Sequence, residues 1–226
     1  MKTYNGKYRQ FEGISLPDRQ WPGKTLDSAP VWCSVDLRDG NQALINPMGI
    51  DAKIEFFKML VAIGFKQIEV GFPSANKTEY DFVRRLIDEN LIPDDVWIQV
   101  LTQARDQFVQ KTIESVRGAK NVIIHLYNAT SPAQRKYNFG KSQQEMIDLA
   151  VSGVRCIKKN IQGLRDKGTN ILFEYSPENF TETEMDFSLE NCRAIMKEWG
   201  RMVHHRLHNM RHLYPLNHLH LVNPFF

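Results

Sequence analysis

No apolar run in this chain of 226 residues approaches the roughly 20 that a membrane-spanning helix needs. The opening "MKTYNGKYRQFEG" lacks the apolar core of a secretory signal. The expectation is a cytoplasmic protein with no membrane partner. Cysteine is scarce: Cys33, Cys156 and Cys192 are odd in number and far apart, which fits neither a disulfide framework nor zinc-ligand spacing, so they read as reduced and structural. Charge of one sign is lacking too. Of 29 Lys and Arg, three lie in residues 201–226, where no acid occurs, so the remainder balances evenly against 26 Asp and Glu. A neutral body offers nucleic acid no footprint.

What is present is a repeated strand-then-helix rhythm. After a polar lead over residues 1–28, "APVWCSVDLRDG" reads as a strand. It precedes "GIDAKIEFFKMLVAIG", where Ile54, Phe57, Met59, Leu60 and Ile63 make an apolar face and Gly64 a C-cap. Four more units follow: "FKQIEVGFP", "DDVWIQVLTQ", "KNVIIHLYN" and "TNILFEYSP", each ahead of a segment of helical period. Five such units predict an α/β fold with a parallel sheet, either doubly wound or closed as a barrel.

The polar residues favour the barrel. Arg38 and Asp39, Glu69, His125 and Tyr127, and Glu174 and Glu178 fall toward the C-terminal ends of their runs. A barrel gathers its chemistry on that face, whereas an open sheet concentrates it at one switch point. The expected fold is therefore a (β/α)8 TIM-barrel type, incomplete at about five units over residues 29–200. Beyond it, residues 201–226 carry six of the seven histidines and no convincing pattern. That stretch reads as a disordered basic tail, as text from a wrong frame, or as a metal-binding segment.

Arg38 beside Asp39 has two readings. "DGN" is turn chemistry, and the pair then belongs to a solvated loop. At a barrel rim, the carboxylate can ligate a divalent metal while the fixed guanidinium stabilises an oxyanion. "LRDGNQ", followed after ten intervening residues by Lys53, resembles the signature of the α-isopropylmalate and homocitrate synthase family. "HLYNATSPAQRKYNFGKS" and "FEYSPENFTETEMDF" resemble that family's fourth- and fifth-strand regions, and they favour its isopropylmalate branch.

The resemblance implies a metal-dependent TIM-barrel acyltransferase of leucine biosynthesis. It would condense acetyl-CoA with 2-oxoisovalerate, using a divalent ion (Mg, Mn or Zn) as Lewis acid, and a full-length form would be a homodimer. Carried over by position, Asp39 is a metal ligand and Arg38 the oxyanion stabiliser. Gln42 supports that corner, and His125, Tyr127 and Glu178 line the oxo acid pocket, with Arg38 and Glu178 counted as catalytic. Glu69 and Glu174 are second candidates whose plain reading is structural.

The family's later threonine and His-x-His segments have no recognisable copy. "HLH" at His218 and His220 lies about one unit too early. The expectation is a chain that follows the family through its fifth unit and then departs from it, as a truncated or frameshifted product would. The alternatives are a non-catalytic remnant and a related homocitrate synthase or acyl-CoA lyase.

Overall fold

The structure, a computed structural model, describes residues 31–200. The N-terminal lead and the His-rich tail, with His218 and His220, lie outside the described residues. Within them, strands and helices alternate as expected: β1 (Cys33–Ser34), α1 (Ile50–Ile63), β2 (Gln67–Gly71), α2 (Lys77–Asp88), β3 (Trp97–Gln103), α3 (Asp106–Ser115), β4 (Asn121–Ala129), α4 (Gln143–Arg165), β5 (Asn170–Glu178) and α5 (Met185–Trp199).

All strand pairs are parallel, and their order along the sheet is their order along the chain. A doubly wound sheet would reverse that order at a switch point. Each helix packs on the next, α1 on α2 through to α4 on α5. The sheet curls through 181° round an axis, leaving its edges 12 Å apart. Four inter-strand steps across that arc are about 45° each, a curvature at which a ring closes with eight strands. The described residues thus form the first five-strand arc of a TIM-type barrel.

Alternation along the strands sorts the two faces. Ile68, Val70, Ile98, Val100, Val122, Ile124, Leu126 and Phe173 join Phe57, Phe82, Leu86, Val154 and Ile157 of the helices in one buried core. The residues between them, Glu69, Gln99, His125, Glu174 and Ser176, are buried as well. They occupy the opposite face of the sheet, toward the axis.

Helix ends follow their local chemistry. Gly64 closes α1 at φ 112°, a left-handed conformation that suits a residue without Cβ. Asn76 caps α2 by accepting the Glu79 N–H, and Ser142 with Glu145 forms a capping box on α4.

Three details depart from expectation. The first strand pairs only through Cys33 and Ser34, because Asp36–Gly40 winds into a π-helical turn that carries Arg38 and Asp39. Glu69, His125 and Glu174 lie inside their strands rather than at the ends, with His125 directly opposite Glu174. On α1, Met59 and Ile63 are exposed. Among the described residues, the exposed large apolar side chains of the α-helices lie on α1 and α5, at 59, 63, 185, 189 and 196. These are the helices at the two ends of the arc, each with one helical neighbour among the described residues. The cysteines are free, as expected.

Candidate active site

Arg38, from the π-helical turn after β1, reaches across to the middle of β2. Its Nε donates to Glu69 Oε2 at 2.7 Å, and its Nη1 donates to Asp39 Oδ1 at 2.7 Å. The other Glu69 oxygen, Oε1, lies 2.6 Å from His125 Nδ1 on β4 and accepts from Gln99 Nε2 of β3 at 3.3 Å. One carboxylate therefore ties four elements of the arc together. Glu69 is wholly buried, Gln99 likewise, and Arg38 and His125 nearly so.

Burial opposes ionisation of Glu69, but the Arg38 guanidinium, and after it His125, outweigh burial and hold the carboxyl well below the usual range. An ionised Glu69 accepts the proton on His125 Nδ1, which sets the tautomer and leaves Nε2 facing Ser176 Oγ at 2.7 Å. Gln99 then serves as a donor to Glu69, and its 3.2 Å approach to Nδ1 is a packing contact.

Glu174 Oε1 lies 3.5 Å from His125 Nε2. Burial pushes its carboxyl up to about 7, with His125 opposing and Glu69 adding to the rise. The two carboxyl groups flanking one imidazole are thus driven apart: Glu69 is held charged by its cation, and burial pushes Glu174 toward its protonated form.

A stability test follows from that shift. From the ordinary value of 4.5 up to about 7, the folded state keeps a proton that the unfolded chain releases. Stability contributed by Glu174 therefore falls as pH rises through this window, by at most about 1.4 kcal/mol per unit. Glu69 acts in the opposite sense below it. Urea midpoints at pH 5 and 7.5 should differ for the parent and converge for Glu174→Gln; an equal difference in both would count against the assignment.

Nearer the C-terminal rim, the half-buried Tyr127 accepts a hydrogen bond from Gln103 Nε2 at 2.7 Å, and burial raises its phenol. Glu178 ends β5, and burial raises its carboxyl. Asp39 is half-exposed at the mouth. Gln42 is exposed. The loop there is supported instead by the buried Asn41, whose Oδ1 accepts the Met48 N–H at 2.7 Å.

The sequence-based candidates Arg38, Asp39 and His125 are thus brought together, but through Glu69, which the sequence ranked second. Gln99 and Ser176 were missed. The signal that could have found them is the two-residue alternation, since Ser176 sits between Glu174 and Glu178 on one strand face.

Among the described residues, no group of three or more His, Cys, Asp and Glu side chains could hold a metal ion. Asp39 is the one rim carboxylate the resemblance assigns to that task, and its Oδ1 is already paired with Arg38. A divalent cation wants several fixed oxygen or imidazole ligands. The described residues by themselves do not fit one.

A family model described as HMGL-like matches residues 29–203. The chain belongs to the HMGL-like family. It is 53% identical over 196 residues to the 2-isopropylmalate synthase of Clostridium acetobutylicum, covering 87% of this chain and 35% of that protein. It is 55% identical over 193 residues to the enzyme of the same name from Acetoanaerobium sticklandii, covering 85% and 34%. With that of Pseudomonas putida GB-1 it shares 49% over 207 residues, covering 92% and 37%.

The chain spans about a third of the length of the curated relatives it matches. Among solved structures, an HMG-CoA lyase from Bacillus subtilis superposes with a TM-score of 0.53 at 13% identity, over 75% of this chain and 55% of that one. That likeness concerns the fold alone. Among the described residues, no helix is long and apolar enough to cross a membrane.

Proposed function

We propose that residues 29–200 carry the first half of a 2-isopropylmalate synthase active site, acting on acetyl-CoA and 2-oxoisovalerate. Relatives bearing that name at about half identity over most of the chain support the reading. The observation that carries it is the Glu69-centred cluster. It buries a guanidinium beside a rim carboxylate and holds an imidazole in one tautomer, as a site that must stabilise a developing oxyanion requires.

In the reaction, a methyl proton leaves acetyl-CoA, and the resulting enolate attacks the ketone carbon of the oxo acid. The alkoxide so formed takes up a proton, and water cleaves the thioester to give 2-isopropylmalate and free CoA. Arg38, fixed on both sides, offers positive charge to the oxo acid as negative charge grows on its ketone oxygen. His125 and Tyr127 bound the pocket below and beside it, and Glu178 closes the β5 side. The proposal includes a cytoplasmic location, a divalent metal for which Asp39 is one ligand, and a homodimer of the longer protein.

The test is thiol release from acetyl-CoA by the purified chain, together with titration of the oxo acid. The expected result is a dependence on 2-oxoisovalerate, with 2-oxoglutarate a poor substitute. Preference for 2-oxoglutarate would move the chain to the homocitrate branch. Oxo acid binding without thiol release would favour a second reading, a binding module that keeps the pocket rim. That reading is supported by the pairing of Asp39 Oδ1 with Arg38, which engages the rim carboxylate assigned to the metal.

A further inference from the structure

Lys53 belongs to the signature segment, yet the chemistry above gives it no role. It is wholly buried on α1, where its Nζ pairs with Glu79 Oε1 and lies 4.8 Å from the centre of the Phe82 ring. A buried ammonium needs such a partner, so the pair is fixed rather than exchanging with water. Glu79 sits in the first turn of α2, where its own N–H donates to Asn76 Oδ1 at 3.0 Å. Its second oxygen, Oε2, accepts the Phe72 N–H at 3.2 Å. A Cβ placed on Gly71 would collide with that oxygen. The carboxylate thus lies flat against the chain leaving β2 and anchors it.

What that anchor positions is an aromatic group at the rim. The Phe72 ring stands edge-on to Tyr127, with centroids 6.1 Å apart and planes at 81°. On its other side it meets Phe108 of α3, at 6.3 Å and 61°. All three rings are half-buried. They put apolar surface beside the polar cluster, next to Tyr127, whose hydroxyl is held by Gln103.

We propose that Phe72, locked in place by the buried Lys53–Glu79 pair, forms with Tyr127 the wall that sets how large an aliphatic side chain a 2-oxo acid can bring into the site. This rests on the oxo acid reading above and assigns its selection by side-chain size to a named wall. A second carboxylate on the substrate would lie desolvated against ring carbons with no partner. Phe72 is the specificity-determining residue, and Lys53 and Glu79 are positioning residues that act through it.

The experiment uses the full chain and its Phe72→Ala, Lys53→Met and Glu79→Gln variants, each checked for fold by far-UV circular dichroism. Affinities for 2-oxobutanoate, 2-oxoisovalerate and 4-methyl-2-oxopentanoate are measured by titration, and ring resonances are followed by NMR in chain labelled with 13C-tyrosine. Phe72→Ala should shift preference toward the largest acid by about tenfold or more, the discrimination one or two methylenes can carry. Lys53→Met and Glu79→Gln should shift it in the same direction and move the Tyr127 resonance.

A structural role alone would weaken all three acids in proportion. An unchanged ratio in Phe72→Ala therefore overturns the specificity role. Failure of the parent chain to bind any of the acids overturns it too, along with the reading it rests on. The Tyr127 resonance decides the lock separately, because an unmoved signal in folded Lys53→Met means that the pair does not position the rim.

Discussion

Glu69→Gln is expected to lower the stability of the domain by about 3–5 kcal/mol, the range for removing one partner of a buried ion pair. The substitution keeps the shape and removes the charge. Arg38 Nε and His125 Nδ1 both point donors at this side chain, 2.7 and 2.6 Å from its two oxygens. A glutamine offers one oxygen and one NH2 group, so either its NH2 meets the Arg38 donor or His125 must switch tautomer to accept from it, and in both cases the guanidinium loses its buried counter-charge. Asp39, half-exposed, is a weak substitute partner for the guanidinium.

Urea unfolding provides the check. With a slope of about 1–3 kcal/mol per molar, the midpoint should fall by at least about 1 M. A midpoint within error of the parent would show that the cluster contributes little. The double change Arg38→Met with Glu69→Leu should cost less than the sum of the two single changes, since it removes both charges together.

The second large effect concerns turnover. Arg38→Ala should reduce thiol release by about 10²–10³-fold, the loss typical of removing one oxyanion donor. Arg38→Lys should recover little of it. Arginine uses Nε toward Glu69 and Nη1 toward Asp39 at once, and a single ammonium at the end of a flexible stem cannot hold both directions.

Asp39→Ala separates the site from the scaffold. Its side chain is half-exposed, so its removal should change stability by less than about 1 kcal/mol. Turnover should nevertheless be abolished if Asp39 contributes to metal binding at the rim. Normal thiol release by Asp39→Ala would remove that assignment, and a large stability loss would make it structural.

These expectations draw unequally on sequence and structure. The alternation of five apolar runs with five helical segments was legible because period 2 and period 3.6 are local properties of the text. So was the end of α1 at Gly64, which follows from backbone conformation alone. The pairing of Arg38 with Asp39 was legible as a motif, but its setting was not, because no rule of periodicity announces a π-helical turn at Asp36–Gly40.

The sequence by itself determined the element order, the parallel α/β class, the family resemblance and most of the side chains that face the axis. Tertiary structure alone decided which of them is central. Glu69 reads as a second-rank strand carboxylate until curvature brings β2 between the Arg38 turn and β4, across separations of 31 and 56 residues. Lys53 likewise reads only as a position of the signature segment until α2 presents Glu79 to it. The physical reason is the same in both cases. The charge state and orientation of a buried group are set by what surrounds it, and those neighbours are assembled by the closing of the sheet rather than by proximity along the chain.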